Sequence, residues 1–168
     1  MGTHLRVAQV YAADPIQVLE MLTNKPYINA RATLTGALSV ESSSSVQADG
    51  TINLEITRSL PSQMPSFAVA IAGETLTVTE YQSWQPATQN SCRGTFRVDF
   101  SAPLTFLGVA TMTYDGAHTT VVTEGDFKAS IPFFGGKVEN LAREQTQRYL
   151  EKEESFANNW LKNHDPTE

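Results

Sequence analysis

The sequence predicts an α+β fold in which a curved, antiparallel, seven-stranded sheet wraps around a long C-terminal helix, with two short helices after the first strand. Three observations carry this reading. From Leu38 to Ile131 the chain is rich in Thr, Val and Ser and alternates apolar with polar residues, broken at turn-like points, as an antiparallel meander does. After Ile131-Pro132-Phe133-Phe134-Gly135-Gly136 the apolar period changes to three and four residues, as in an amphipathic helix. Between the first strand and the meander there is room only for brief helical pieces.

The elements follow in order. Leu5-Arg6-Val7-Ala8-Gln9-Val10-Tyr11 reads as a strand with Leu5, Val7 and Tyr11 on one face. Asp14 suits an N-cap and Pro15 the first helical position, where its missing N–H costs nothing. Val18, Leu19 and Leu22 give that helix its apolar stripe, Asn24-Lys25-Pro26 ends it, and a second helical piece covers Tyr27 to Ala32. The meander then reads through Leu38, Val40 and Val46, a turn at Ala48-Asp49-Gly50, and the strand of Ile52, Leu54 and Ile56. The run Ser42 to Ser45 lies inside a strand and is no linker. Leu76 and Val78 lead toward Trp84; Phe96, Val98 and Phe100 follow; Leu104, Phe106, Ala110, Met112 and Tyr114 run to the hairpin signal Asp115-Gly116. The last strand carries Val121, Phe127 and Ile131, with Glu124, Asp126 and Lys128 turned the other way. One continuous helix is expected from about Lys137 to about Leu161, roughly 40 Å long at 1.5 Å per residue. Its packing face is Val138, Leu141, Ala142, Gln145, Tyr149, Phe156 and Trp160, and its solvated face includes Lys137, Arg143, Glu144, Arg148, Glu151 and Glu154. Residues 1–168 are expected to form a single domain, with 163–168 a polar, frayed tail.

Composition narrows the function. With 168 residues, 40% hydrophobic and 18% charged, the chain has the makeup of a folded domain and not of a disordered one. A net charge of −6 excludes nucleic acid as a partner class, since phosphate binding needs a basic surface. No run approaches the ~20 apolar residues that span a bilayer, so stable membrane insertion is not expected. The N-terminal residues lack a signal peptide's apolar core, and Arg6 breaks the myristoylation pattern. Cys92 is the only cysteine, which fits a reducing cytoplasm and a small buried strand residue. A cytoplasmic monomer or weak homodimer is the expectation.

A curled sheet and a single helix do not fill the space between them without very large side chains. Ser42, Ser44, Gly108, Ala110, Thr123, Gly125 and Ala129 are small inward candidates beside Trp84, Phe96, Phe100, Phe106 and Phe127. Two arrangements fit: a hollow with aromatic walls, suited to an apolar ligand, or a helix seated closely on the small residues.

Two segments carry a family resemblance. Ala13-Asp14-Pro15-Ile16-Gln17-Val18-Leu19-Glu20-Met21-Leu22-Thr23 resembles the opening helix of the START-like superfamily (the helix-grip or SRPBCC fold), which includes Bet v 1-type allergens, lipid transfer domains and polyketide cyclases. Ile131-Pro132-Phe133-Phe134-Gly135-Gly136-Lys137-Val138-Glu139, with the Trp160-Leu161 ending, resembles an uncharacterised bacterial domain-of-unknown-function family within it. The resemblance spans nearly the whole chain. It implies a hydrophobic pocket and supplies no catalytic residues.

The residues offer little classical chemistry. His4, His118 and His164 are scattered without metal-ligand spacing, and no cofactor is called for. Gly135-Gly136-Lys137 lacks P-loop spacing; Pro132 ends the strand and the glycines turn the chain into the helix. Arg58 and Glu80 are sharper, because each continues an otherwise apolar face. Either they point inward as a pair that orients a ligand's polar end, or a bulge or strand end turns one of them to solvent. The segment Ser59 to Glu74, with Met64 and Phe67, is too long for a hairpin turn and forms a lid, a short helix or extra packing. The expected ligand-binding residues are Arg58, Met64, Phe67, Glu80 and Tyr149 together with Trp84, Phe96, Phe100, Phe106, Met112 and Phe127; no catalytic residue is assigned. Three functions remain open: a carrier or sensor of a small apolar ligand such as a lipid, isoprenoid or polyketide; a cyclase- or aromatase-type enzyme; and an interaction protein with a vestigial pocket. Binding is preferred, since an enzyme calls for several convergent titratable groups.

Overall fold

The computed structural model describes residues 2–61 and 75–164. The expected segment around Met64 and Phe67 and the end of the tail lie outside the described residues.

Strand β1 (Thr3–Tyr11) leads into helices α1 (Pro15–Leu22) and α2 (Lys25–Ala32) and a single 3-10 turn at Thr33–Thr35. Six strands follow: β2 (Ser39–Val46), β3 (Ile52–Pro61), β4 (Thr75–Trp84), β5 (Ser91–Phe100), β6 (Leu104–Tyr114) and β7 (Thr119–Ala129). Helix α3 (Gly135–Asn163) closes the chain. The seven strands form one antiparallel sheet in the order β1-β7-β6-β5-β4-β3-β2, so the first strand closes against the last. This is the helix-grip arrangement, with α3 lying chiefly against β1 and β7.

Local chemistry sets the short helices. Asp14 caps α1 by accepting from the Gln17 N–H at 2.8 Å while the Gln17 side chain accepts from the Asp14 N–H, a capping box. Asn24-Lys25-Pro26 does more than end α1: Asn24 caps α2 by accepting from the Tyr27 N–H at 3.1 Å, with Pro26 in the first turn.

Helix α3 is continuous, as the spacing requires, but its faces differ from expectation. Gln145 is exposed, whereas Glu139 and Glu153 are buried. Glu139 accepts from the Ala129 N–H at 2.8 Å and from the Thr3 hydroxyl at 2.9 Å, tying the start of α3 to two strands. Glu154 is not simply solvated: it accepts from the Val10 N–H at 2.8 Å, and Asn158 accepts from the Ala12 N–H and donates to the Val10 carbonyl. These side chains satisfy the free edge of β1, which otherwise presents unpaired backbone groups. Phe156 and Trp160 pack against Tyr27, and the His164 ring stacks on Trp160 at 3.8 Å, so Asn163 is still helical and the helix end is held.

The turn into α3 is built differently from the sequence reading. The residue with left-handed backbone is Phe133, φ 68°, not either glycine; Gly135 and Gly136 are the first helical residues, and Gly135 sits close under the Ala129 carbonyl.

The small residues of the inner sheet face have a specific use. A Cβ on Gly94 would lie under 3.0 Å from the buried Trp84 ring, and a Cβ on Gly108 or Gly125 would strike both the Phe106 ring and neighbouring backbone, the Glu124 or the Leu107 carbonyl. Gly94 is a seat for a ring, and Gly108 and Gly125 allow a ring and backbone to close in together; none of the three receives the helix or lies open. Ser42 and Ser44 belong elsewhere, since β2 is the far edge strand and adjoins α2 and the cluster of Ile28, Leu54 and Ile56.

Two expectations follow. Gly94→Ala will force Trp84 or β5 to shift and destabilise the protein by about 1–3 kcal/mol, measurable as a lowered denaturation midpoint at unchanged m-value. On the outer face, His4 lies 3.0 Å from Asp126 and 2.9 Å from Glu124, and hydrogen bonds to these two carboxylates raise its pKa above 6.5. The stability that charged His4 adds to the β1–β7 edge is therefore fully present below pH 6.5 and fades as pH rises through the higher folded value, while the strand pairing itself stays. An NMR titration will show His4 titrating above 6.5, with Asp126→Asn moving it down.

Candidate ligand-binding cavity

Between α3 and the inner face of the sheet lies a cavity of about 590 Å³. Its apolar wall comes from alternate residues of β5, β6 and β7, which period-2 geometry places on one face. Phe96, Phe100, Phe106 and Phe127 all line it. Phe106 and Phe127 are tilted against each other at 4.7 Å between ring centres, and Phe96 meets Trp84 edge-on at 5.5 Å. Trp84 and Tyr149 also contribute to the lining. Met112 does not: it is fully buried in the core cluster with Tyr11, Trp84 and Val121, toward the α1 end of the sheet. Its side chain shares the inner face, but α1 and the end of α3 cover it there.

The opposite wall is polar. Arg58 and Glu80 lie on neighbouring strands in diagonal register, since Glu80 pairs with Ile56 and Arg58 with Val78. Arg58 Nη2 donates to Glu80 Oε1 at 2.7 Å, and both side chains are about nine-tenths buried, at 9% and 11% exposure. Glu80 Oε2 accepts from the Gln82 amide at 2.9 Å, and Gln82 Oε1 accepts from the Trp84 indole N–H at 2.9 Å. A second pair adjoins the first. Arg31 of α2 donates to Glu153 of α3 at 2.9 Å and lies 4.0 Å from Glu80. Glu153 also accepts from the Tyr27 hydroxyl at 3.2 Å and, at its other oxygen, from Gln9 at 3.4 Å.

The electrostatics follow from this geometry. Burial pushes the Glu80 carboxyl up, but Arg58, Arg31 and the Gln82 amide outweigh it and hold the group below its ordinary value, ionised at neutral pH. Burial raises the Tyr149 hydroxyl well above the usual tyrosine range, so it remains a protonated donor. Two polar atoms of this region, Arg58 Nε and the Tyr149 hydroxyl, are buried without a hydrogen-bond partner among the described residues. The Arg58 guanidinium carbon stands 5.6 Å from the Tyr149 ring centre.

Residues 6–161 match the model of a family described as proteins of unknown function, DUF2505. The chain belongs to the DUF2505 family. No curated protein matches it. Solved structures do, and they share the fold of this DUF2505 chain at low identity. TTHA0849 from Thermus thermophilus gives a TM-score of 0.61 at 16% identity, over 91% of this chain and 95% of that one. Mll3558 from Rhizobium loti gives 0.51 at 15% identity, over 92% and 96%. Dicamba monooxygenase bound to 3,6-dichlorosalicylic acid gives 0.57 at 11% identity, over 97% of this chain and 52% of that one.

Four polar members of the DUF2505 chain's cavity wall escaped sequence reasoning: Gln9, Arg31, Gln82 and Glu153. Gln9 and Gln82 each continue an apolar strand face, between Val7 and Tyr11 and between Glu80 and Trp84, which was the available signal. Glu153 interrupts the helical stripe four residues after Tyr149, and Arg31 stands four residues after Tyr27 on the buried side of α2.

Glu80→Gln leaves Arg58 buried without its counter-charge and is expected to cost about 3–5 kcal/mol. Arg58→Met/Glu80→Leu removes both charges and should cost less than that single change. Chemical denaturation of the two variants checks the order; a single mutant within about 1 kcal/mol of wild type would mean the pair is solvated.

Proposed function

We propose that the chain is a START-like carrier or sensor that holds one small apolar ligand, of lipid, isoprenoid or polyketide type, between sheet and helix. The observation that supports this reading is the cavity. Its volume of about 590 Å³ lies in the range of small-molecule sites, and aromatic walls facing a compact polar cluster are the usual makeup of such sites. An apolar body fits against Phe100, Phe106 and Phe127, opposite the wall that carries Arg58 and Glu80.

Binding is favoured over catalysis by the state of the titratable groups. Glu80 is bonded at both oxygens and held ionised, and Glu153 is engaged at both oxygens as well. Neither carboxylate is left over as a free general base.

The test is direct. Native mass spectrometry of the purified protein, followed by extraction, should find a retained apolar molecule. N-phenyl-1-naphthylamine, a neutral hydrophobic dye, should bind with a stoichiometry near one and raise the melting temperature by mass action. Val98→Trp, which places an indole into the cavity beside Glu80, should stay folded and bind the dye at least tenfold more weakly. Dye uptake unchanged by Val98→Trp would place binding outside this cavity and overturn the reading.

A further inference from the structure

Among the described residues, four members of the cavity lining are exposed: Gly36, just after the 3-10 turn, and Gln145, Arg148 and Lys152 of α3. They mark the mouth. The three helical positions are spaced by three and four residues, so they form one stripe along α3. Deeper in the cavity the charges are matched, Arg58 by Glu80 and Arg31 by Glu153. Arg148 and Lys152 are not: no carboxylate of the described residues lies within salt-bridge reach of either. The lining therefore carries four cations against two carboxylates, on a chain whose net charge is −6.

Like charges one turn apart weaken a helix slightly, and here no neighbouring carboxylate relieves them. An anion placed between them would. The position suits a ligand's head, since Arg148 and Lys152 stand where the apolar space meets water. A carboxylate or phosphate there keeps its hydration and avoids the cost of burial beside Glu80 and Glu153. A cationic head would meet two like charges, and a neutral one would gain no ion pair. On an acidic chain, a locally positive opening is also where an approaching anion is attracted. We propose that the cavity takes a single-chain anionic amphiphile, a fatty-acid carboxylate or an alkyl phosphate. Its tail lies against the aromatic wall and its head sits at the mouth between Arg148 and Lys152. This deepens the carrier reading and rests on it.

A matched series decides it: dodecanoate, dodecyl phosphate, 1-dodecanol and dodecyltrimethylammonium compete against bound N-phenyl-1-naphthylamine at low salt and mildly alkaline pH. The two anions should displace the dye at roughly fivefold lower concentration than the alcohol, the yield of two solvated ion pairs. The cation should be the weakest competitor. Added salt screens exposed charges and should narrow the preference. Arg148→Gln/Lys152→Gln should bring the anion-to-alcohol ratio to within about twofold. Arg148→Lys/Lys152→Arg keeps both charges and should restore the ratio, and Arg148→Glu/Lys152→Glu should turn the preference toward the cation. Arg6→Gln/Lys128→Gln takes the same charge from exposed positions outside the lining and should leave the ratio as it is. Preference for one anion over the other tells carboxylate from phosphate. Displacement by the alcohol or the cation as strong as by the anions, or a ratio untouched by Arg148→Gln/Lys152→Gln, would overturn this assignment and leave the carrier reading intact. Failure of the dye to bind at all would sink the carrier reading, and this inference with it.

Discussion

Glu80 stands in the wall of an apolar cavity, where a lone carboxylate would cost several kcal/mol. Much of the architecture near α2 and α3 answers that constraint. The nearest counter-charge, Arg58, comes from the adjacent strand. The next, Arg31, reaches in from α2 and is itself buried, so it needs an anion that Glu80 alone does not fully provide at 4.0 Å. Glu153 of α3 supplies it. One buried charge on β4 thus entails charges on three other elements, and the short helix α2 is tied to the long helix through Arg31 and Tyr27 together.

The aromatic wall rests on a separate constraint, that of ring placement. Trp84 lies against Gly94, and Phe106 lies across Gly108 and Gly125, which face each other on β6 and β7. With a Cβ at Gly94 the Trp84 ring would have to lift from the sheet, and at Gly108 or Gly125 both the Phe106 ring and the adjacent backbone would have to shift. Small residues do create the room, but indirectly: they let large rings lie flat, and flat rings leave the cavity unfilled. Packing density of a protein interior makes such seats selective, since even one added methyl group is felt.

The difference between these two constraints explains what was legible in the sequence. Strand alternation has a short, fixed period, so Glu80 after Leu76 and Val78, and Arg58 after Ile52, Leu54 and Ile56, read as continuing apolar faces, with a bulge or strand end as the open alternative. The observed register decides between them and brings Arg58 and Glu80 together. Arg31 and Glu153 are another matter. They are separated by 122 positions in sequence, and charged residues on amphipathic helices ordinarily face solvent. Only the interruption of the apolar stripe at Glu153 hinted otherwise. The glycines were legible as small but not as seats, because the ring that occupies each one comes from a neighbouring strand or from two residues away on the same face. Met112 was misplaced for a related reason: period 2 gives the face, not the position along it, and the α1 end of that face is solid core.

The polar wall and the core are also one connected structure. The indole N–H of Trp84 fixes the Gln82 carbonyl oxygen, which turns the Gln82 amide toward Glu80; Glu80 in turn holds the Nη2 of Arg58. The direction in which the Arg58 Nε–H points is therefore set by a chain of bonds that begins at a residue only 1% exposed. A planar guanidinium gripped at Nη2 has little freedom left at Nε. Side chains fixed in this way have little conformational entropy left to lose. The same bonds that make Glu80 tolerable in the interior thus tie the polar wall of the cavity to the Trp84 core.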